Sequence, residues 1–180
     1  MAGQIRIGTS GWNYDHWQGP FYPLQSKAVD WFGYYADSFS TVEINNTFYH
    51  QPKDETFDAW REQAPRGFLY AVKANRYLTH LRKLKDPQEP LETFLQGVRR
   101  LEDHLGPLLY QLPPNWNRDL SRLRAFVEML PPEFDHVIEF RNRDWLVEET
   151  YELLAQHHIS LCVHDMLPRH PRRVTGPLVY

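Results

Sequence analysis

Short apolar runs alternate along the whole chain with longer stretches of helical period. The runs are Ile5–Gly8, Thr41–Asn45, Leu69–Lys73, Leu108–Leu112, His136–Arg141, Ile159–His164 and Pro177–Tyr180. Between them apolar residues return every three or four positions, as one face of a helix requires. Val29, Phe32, Ala36 and Phe39 define a first helix, with Ser26 as its N-cap. Asp54 caps a second carrying Phe57, Trp60 and Ala64, which Pro65 and Gly67 stop. Leu91, Leu95, Val98, Leu101 and Leu105 mark a third, closed by Gly106. Leu120, Leu123, Val127 and Leu130 mark a fourth, and Tyr151 and Leu154 a fifth. This alternation predicts parallel strands joined by crossover helices, hence an α/β fold. No linker, low-complexity segment or repeat interrupts it, so residues 1–180 read as a single domain.

Parity within the runs separates two α/β architectures. One parity is apolar: Ile5 and Ile7, Val42 and Ile44, Tyr70 and Val72, Ile138 and Phe140. The other holds Arg6 and Gly8, Glu43 and Asn45, Ala71 and Lys73, Leu109 and Gln111, Glu139 and Arg141. Strands buried on both faces of a doubly wound sheet read as continuous apolar runs. A mixed face of small, apolar and charged residues suits a barrel interior, packed below and open to ligand above. The expected fold is therefore a TIM-type (β/α) barrel. Such a barrel typically needs about 250 residues, and this chain stops within its seventh run. The expectation is a barrel truncated as strand seven begins, incomplete at its C-terminus.

Charges that close apolar strands are costly to desolvate unless they are paired or used. In a barrel of parallel strands, the carboxyl ends of the strands are also where chemistry sits. Glu43, Lys73, Gln111, Glu139, Arg141 and Asp165 occupy such places. Glu43 and Glu139, on opposite walls of one pocket, suit a general acid and base. The plainer alternative is that they neutralise Arg6 and Arg141 inside the barrel. Lys73 and Arg141 suit a phosphate or carboxylate, Lys as a point charge and Arg as a fork. Arg76, His80, Arg82 and Lys83 follow in sequence and thicken the positive rim, although a solvated surface loop accounts better for Arg82 and Lys83. His164 and Asp165, with Glu43 and Glu139, would make a divalent-metal set, but no tight ligand spacing supports one. A turn after the strand accounts for Asp165 more simply. No metal ligand is therefore assigned, and the cofactor stays open.

Gly8-Thr9-Ser10-Gly11 follows the first run, where glycines let the backbone cradle an anion or simply turn. Its spacing is neither a Walker loop nor a dinucleotide fingerprint. Trp12, Tyr14, Trp17, Phe48, Tyr49, Trp116 and Trp145 fall in the loops after strands. They read as an aromatic wall for a sugar or base, or as a hydrophobic lid. The combined reading is an enzyme acting on a small anionic, phosphorylated or hydroxylated molecule. Glu43, Glu139 or Asp165 would move a proton, and Lys73 and Arg141 would hold the anion. Gln111, Asn45, His80, Trp12 and Tyr49 would complete the substrate site. A non-catalytic small-molecule binder, and a protein that processes single-stranded nucleic acid on stacked aromatics, are the competing classes.

Composition narrows these classes. A net charge of −3 argues against non-specific binding to nucleic acid or an anionic membrane, since both need a basic excess. The single cysteine, Cys162, cannot form an internal disulfide and lies in an apolar run, as expected of a reduced thiol in a cytoplasmic protein. The first residues lack the basic and apolar regions of a signal peptide. No apolar stretch approaches the roughly 20 residues of a membrane span.

Several motifs are long enough to be specific. They are Ile7-Gly8-Thr9-Ser10-Gly11-Trp12-Asn13-Tyr14, Trp17-Gln18-Gly19-Pro20-Phe21-Tyr22-Pro23, Phe39-Ser40-Thr41-Val42-Glu43-Ile44-Asn45-Asn46-Thr47-Phe48-Tyr49 and Val72-Lys73-Ala74-Asn75-Arg76-Tyr77-Leu78-Thr79-His80. Leu109-Tyr110-Gln111-Leu112-Pro113-Pro114, Glu139-Phe140-Arg141-Asn142-Arg143-Asp144-Trp145 and Thr175-Gly176-Pro177-Leu178-Val179-Tyr180 follow in the same order. Together they resemble the YecE-like family (domain of unknown function 72) over essentially the whole chain. The resemblance implies a TIM-type barrel longer than this chain, without an established activity. It also implies an Arg-x-His-Gly segment after Tyr180.

Overall fold

The computed structural model describes residues 3–168 and 172–180. Met1 and Ala2, which head the segment read above for a signal peptide, lie outside the described residues. Five parallel strands form one sheet: β1 (Thr41–Ile44), β2 (Leu69–Lys73), β3 (Leu105–Leu112), β4 (His136–Phe140) and β5 (Ser160–Leu161). Their order across the sheet is their order in the chain. Right-handed crossovers that always step the same way pass over the same face. Helix α1 (Trp31–Ser38) precedes β1, and the crossovers carry the short α2 (Asn46–Tyr49), α3 (Asp54–Gln63), α4 (Gln88–Arg99), α5 (Leu120–Val127) and α6 (Glu148–Gln156).

Register explains how the two faces differ. Glu43 pairs with Ala71, Lys73 with Leu109, Gln111 with Glu139, and Val137 with Ser160. Paired residues on neighbouring strands share a side, and successive residues alternate. One side therefore carries Val42, Ile44, Tyr70, Val72, Tyr110, Leu112, Ile138 and Phe140, all buried in a core shared with the helices. From α4, Leu91, Phe94, Leu95 and Val98 enter that core. Each such side chain contributes about 2 kcal/mol on burial. The other side carries a smaller, separate cluster of Leu109, Val137 and Cys162, on which Leu178 and Tyr180 pack. Asp119 caps α5 by accepting from the Arg122 amide at 3.0 Å.

The two ends of the chain depart from expectation. Ile5–Gly8 is not a strand, and Ile5 and Ile7 are 85% and 69% exposed rather than helix-covered. A Cβ on Gly8 would lie 2.2 Å from the Thr41 carbonyl oxygen, so no side chain fits at that position. Pairing begins later: Thr9 O accepts from Glu43 N at 2.9 Å, and Gly11 N donates to Glu43 O at 2.8 Å. Pro177–Tyr180 is not a strand either. Proline has no amide to donate, and the segment is held instead by Val163 N on Tyr180 O at 2.9 Å and by Leu178 N on Ser160 Oγ at 3.3 Å. The strand expected over Ile159–His164 contracts to Ser160–Leu161, and β4 ends one residue before Arg141.

Helix boundaries shift for local reasons. Ser26 does not cap α1; its hydroxyl donates to Pro23 O and accepts from Trp31 Nε1, which leaves Val29 81% exposed ahead of the helix. Lys53, rather than Asp54, is the N-cap of α3. Gly106 lies inside β3, and α4 stops at Arg99. No helix among the described residues is long and apolar enough to cross a membrane.

Candidate functional site

The strand register brings Glu43, Lys73, Gln111 and Glu139 of β1 to β4 onto the side opposite the helices. Glu43 lies half-buried on β1 and receives hydrogen bonds at both carboxylate oxygens. Ser10 Oγ donates to Oε1 at 2.9 Å, and the Tyr180 hydroxyl donates to Oε2 at 2.6 Å. Asn45 Nδ2 in turn donates to Ser10 Oγ. Burial and then the Glu43 charge push the Tyr180 phenol far above its ordinary pKa, which keeps it a hydroxyl donor.

Glu139 is 4% exposed and accepts from Arg141 Nε. The two residues are two apart and follow one strand direction, so the guanidinium reaches its own strand's carboxylate. The pairing of Glu139 with Arg141 that the plainer account expects is therefore present. Arg6 behaves otherwise than expected. It donates to Ser40 O at 3.2 Å and Gly67 O at 2.9 Å and pairs with neither glutamate.

Lys73 and Arg76 form no ion pair among the described residues. Lys73 Nζ lies 4.9 Å from the centre of the Phe48 ring, a favourable cation–π arrangement. His80 stands edge-on to the same ring at 5.0 Å, and its Nδ1 contacts Thr79 Oγ1 at 3.0 Å. Burial, followed by the charges of Lys73, Arg76 and Arg141, lowers the His80 pKa. Its imidazole is therefore neutral at pH 7 amid three cations. Cys162 senses the whole group. Its thiol is pushed up to about 12, by burial first and then by Glu139 and Glu43, with Arg141 and Lys73 pulling the other way.

A cavity of about 630 Å³ opens on the same side of the sheet, with Thr9, Ser10, Glu43 and Tyr180 at one end and Leu69, Pro107 and Asp135 at the other. Glu43 lines it; Lys73, Gln111, Glu139 and Arg141 do not. Of the five residues expected around one cavity, only Glu43 lines this one, while the strand register places Lys73, Gln111 and Glu139 on the same face of the sheet. Gln111 remains beside Glu139 through the β3–β4 register.

Other expected residues lie elsewhere. Trp12 packs edge-on against Phe32 at 5.3 Å and near Tyr70 at 6.4 Å, on the helix-covered side, because its ring completes that core. Trp116 and Trp145 pack on each other, and Trp145 stacks on Phe140. Tyr49 is 61% exposed, its ring edge-on to Phe48. Asp165 is exposed in the bend past β5, outside the network. His164 Nε2 meets Phe140 O at 2.9 Å while its Nδ1 accepts from Met166 N. No group of three or more His, Cys, Asp or Glu able to hold a metal ion occurs among the described residues. Ser10 and Tyr180 are the partners that sequence reasoning missed. Both lie in motifs quoted above, where Ser10 was read as part of a turn and Tyr180 as part of a strand.

The sequence profile of a family described as protein of unknown function DUF72 matches residues 6–180. UPF0759 protein YecE of Escherichia coli (strain K12) is 29% identical over 175 residues, covering 94% of this chain and 62% of that protein. UPF0759 protein YunF of Bacillus subtilis (strain 168) is 25% identical over 157 residues, covering 82% and 54%. The chain thus spans less than two thirds of the length of these curated relatives. A crystal structure of a DUF72 family protein from Thermotoga maritima superposes with a TM-score of 0.79 at 32% identity, covering 97% of this chain and 69% of that one. One from Enterococcus faecalis superposes at 0.74 with 19% identity, covering 97% and 68%.

Proposed function

This chain belongs to the DUF72 family, and from that premise we propose a (β/α) barrel protein whose strand ends bind a small anionic molecule. The chain-order sheet, the single helix-covered face and the small cluster on the opposite face support the barrel. The observation that carries the ligand reading is the unpaired positive charge at the strand ends. Lys73 and Arg76 lack carboxylate partners among the described residues, and both act on the half-buried His80 together with Arg141. An anion placed there would relieve that field.

In this reading Lys73 supplies a point charge steadied by the Phe48 ring, and Arg141 supplies its terminal guanidinium nitrogens. Glu139 holds the Arg141 fork in place through Nε. Glu43 is the group placed to move a proton, which makes the protein an enzyme if turnover follows binding. Gln111 and Asn45 would orient the ligand.

Inorganic phosphate tests the reading. Saturation at about 100 times Kd stabilises by about 2.7 kcal/mol, which raises Tm by roughly 5–10 °C in a chain of this size. Lys73→Gln should weaken phosphate binding about tenfold, while Arg82→Gln, on the exposed loop, should leave it unchanged. Absence of any response to phosphate and sulfate would sink the proposal.

A further inference from the structure

We propose that the ligand is a phosphorylated polyol, whose hydroxyls are read by Glu43, Ser10 and Asn45 while its anionic end lies at Lys73. The proposal rests on the anion reading above and names the chemistry of the ligand's other end.

A carboxylate offers about four acceptor positions. Ser10 and Tyr180 occupy one on each oxygen of Glu43, and the half-buried group faces the 630 Å³ cavity beside Thr9 and Ser10. Its remaining acceptor positions suit hydroxyl donors. A phosphate or second carboxylate at that point would meet an acceptor-only group and be repelled. The neighbouring amide of Asn45 is oriented by its bond to Ser10, so its oxygen is a further acceptor beside the first. The cavity runs from Glu43 toward Leu69 and Pro107, and Lys73 does not line it, so the anionic end leaves the cavity mouth to reach the ammonium.

Spacing joins the two ends. Glu43 is level with Ala71 on the adjacent strand, and Lys73 lies two residues further on. With about 3.3 Å rise per residue and about 4.8 Å between strands, the two Cα atoms are roughly 8 Å apart. Both side chains stand on the same face of the sheet, so one small phosphorylated molecule can meet both groups. The charges also fix one orientation, with the anion toward Lys73 and the hydroxyls toward Glu43.

Calorimetric titrations with inorganic phosphate, ribose and ribose 5-phosphate test this on the unmodified chain and on Glu43→Gln, Ser10→Ala and Lys73→Gln. Ribose 5-phosphate should bind about tenfold tighter than phosphate, since hydrogen bonds to a charged acceptor are worth at least that factor. Glu43→Gln should reduce ribose 5-phosphate to the level of phosphate and leave phosphate itself within about twofold. Ser10→Ala should lose part of the same increment, which serves as the second variant if Glu43→Gln does not fold. Phosphate binding with no gain from the sugar overturns this inference and leaves the anion reading standing. An equal loss of both ligands in Glu43→Gln overturns it as well. Failure of phosphate to bind removes the anion reading and this inference with it.

Discussion

Removing the Arg141 guanidinium should cost far more than an ordinary loop substitution. Glu139 has a side chain 5% exposed, and Arg141 is 24% exposed. Opposite charges in contact attract by about 5 kcal/mol at an effective dielectric constant near 20, and desolvation cancels much of that in the intact pair. Deletion of one partner leaves the desolvation cost uncompensated, so Arg141→Ala should destabilise by about 3 kcal/mol, the lower end for a buried pair because the arginine is partly solvated. The double variant Glu139→Gln with Arg141→Met removes both charges and should fall within about 1 kcal/mol of the unmodified chain. Urea unfolding read by tryptophan fluorescence measures both, and Trp145, fully buried and stacked on Phe140, reports from the turn just after the strand that carries Glu139. An Arg141→Ala cost below about 1 kcal/mol, or a double variant as unstable as the single one, would refute the claim that the guanidinium serves the carboxylate.

Three further outcomes are expected. The depressed His80 pKa means that the unfolded chain takes up this proton first, so its contribution to stability is present above about pH 6.5 and is lost as pH falls through the lowered value; His80→Gln should flatten the decline measured by urea titration between pH 6.5 and 5. With its thiol pushed up to about 12, Cys162 should react with iodoacetamide at pH 7.5 about three orders of magnitude more slowly than an exposed thiol, and urea should abolish that protection; rapid labelling of the folded chain would contradict its burial. Gly176→Ala would bring a Cβ within 2.5 Å of Ser160 N, so it should cost about 1–3 kcal/mol and expose Tyr180 to faster nitration; unchanged stability would show that the segment yields freely.

The faces of the sheet were legible because alternation is a local property. Val42 and Ile44 against Glu43, or Ile138 and Phe140 against Glu139, announce which side the helices cover without knowledge of any partner. The ends were not legible for the complementary reason. Ile5 and Ile7 carry the alternation of a strand, yet whether a run pairs depends on what lies beside it, and the first paired residues are Thr9 to Gly11 on Glu43. The Glu139–Arg141 pair was foreseeable as an alternative, since residues two apart follow one strand direction. Trp12 and Tyr49 both occupy loops after strands, and nothing local distinguishes a ring that completes the core from one left in solvent. The Ser10–Glu43–Tyr180 network joins segments far apart in sequence and leaves no periodic trace.

A sheet whose spatial order repeats its chain order also has a direction in time. Each strand can zip onto the one synthesised just before it, over loops such as the 28 residues from Thr41 to Leu69, and local pairings of this kind favour rapid assembly. The Tyr180–Glu43 contact spans 137 residues. By loop-length scaling its closure costs about 1.4 kcal/mol more than that β1–β2 pairing, unless the intervening sheet already holds the ends together. Tyr180 therefore docks on a surface that β1 to β5 have already laid down, and Glu43 acquires its second hydroxyl partner only after those strands have paired.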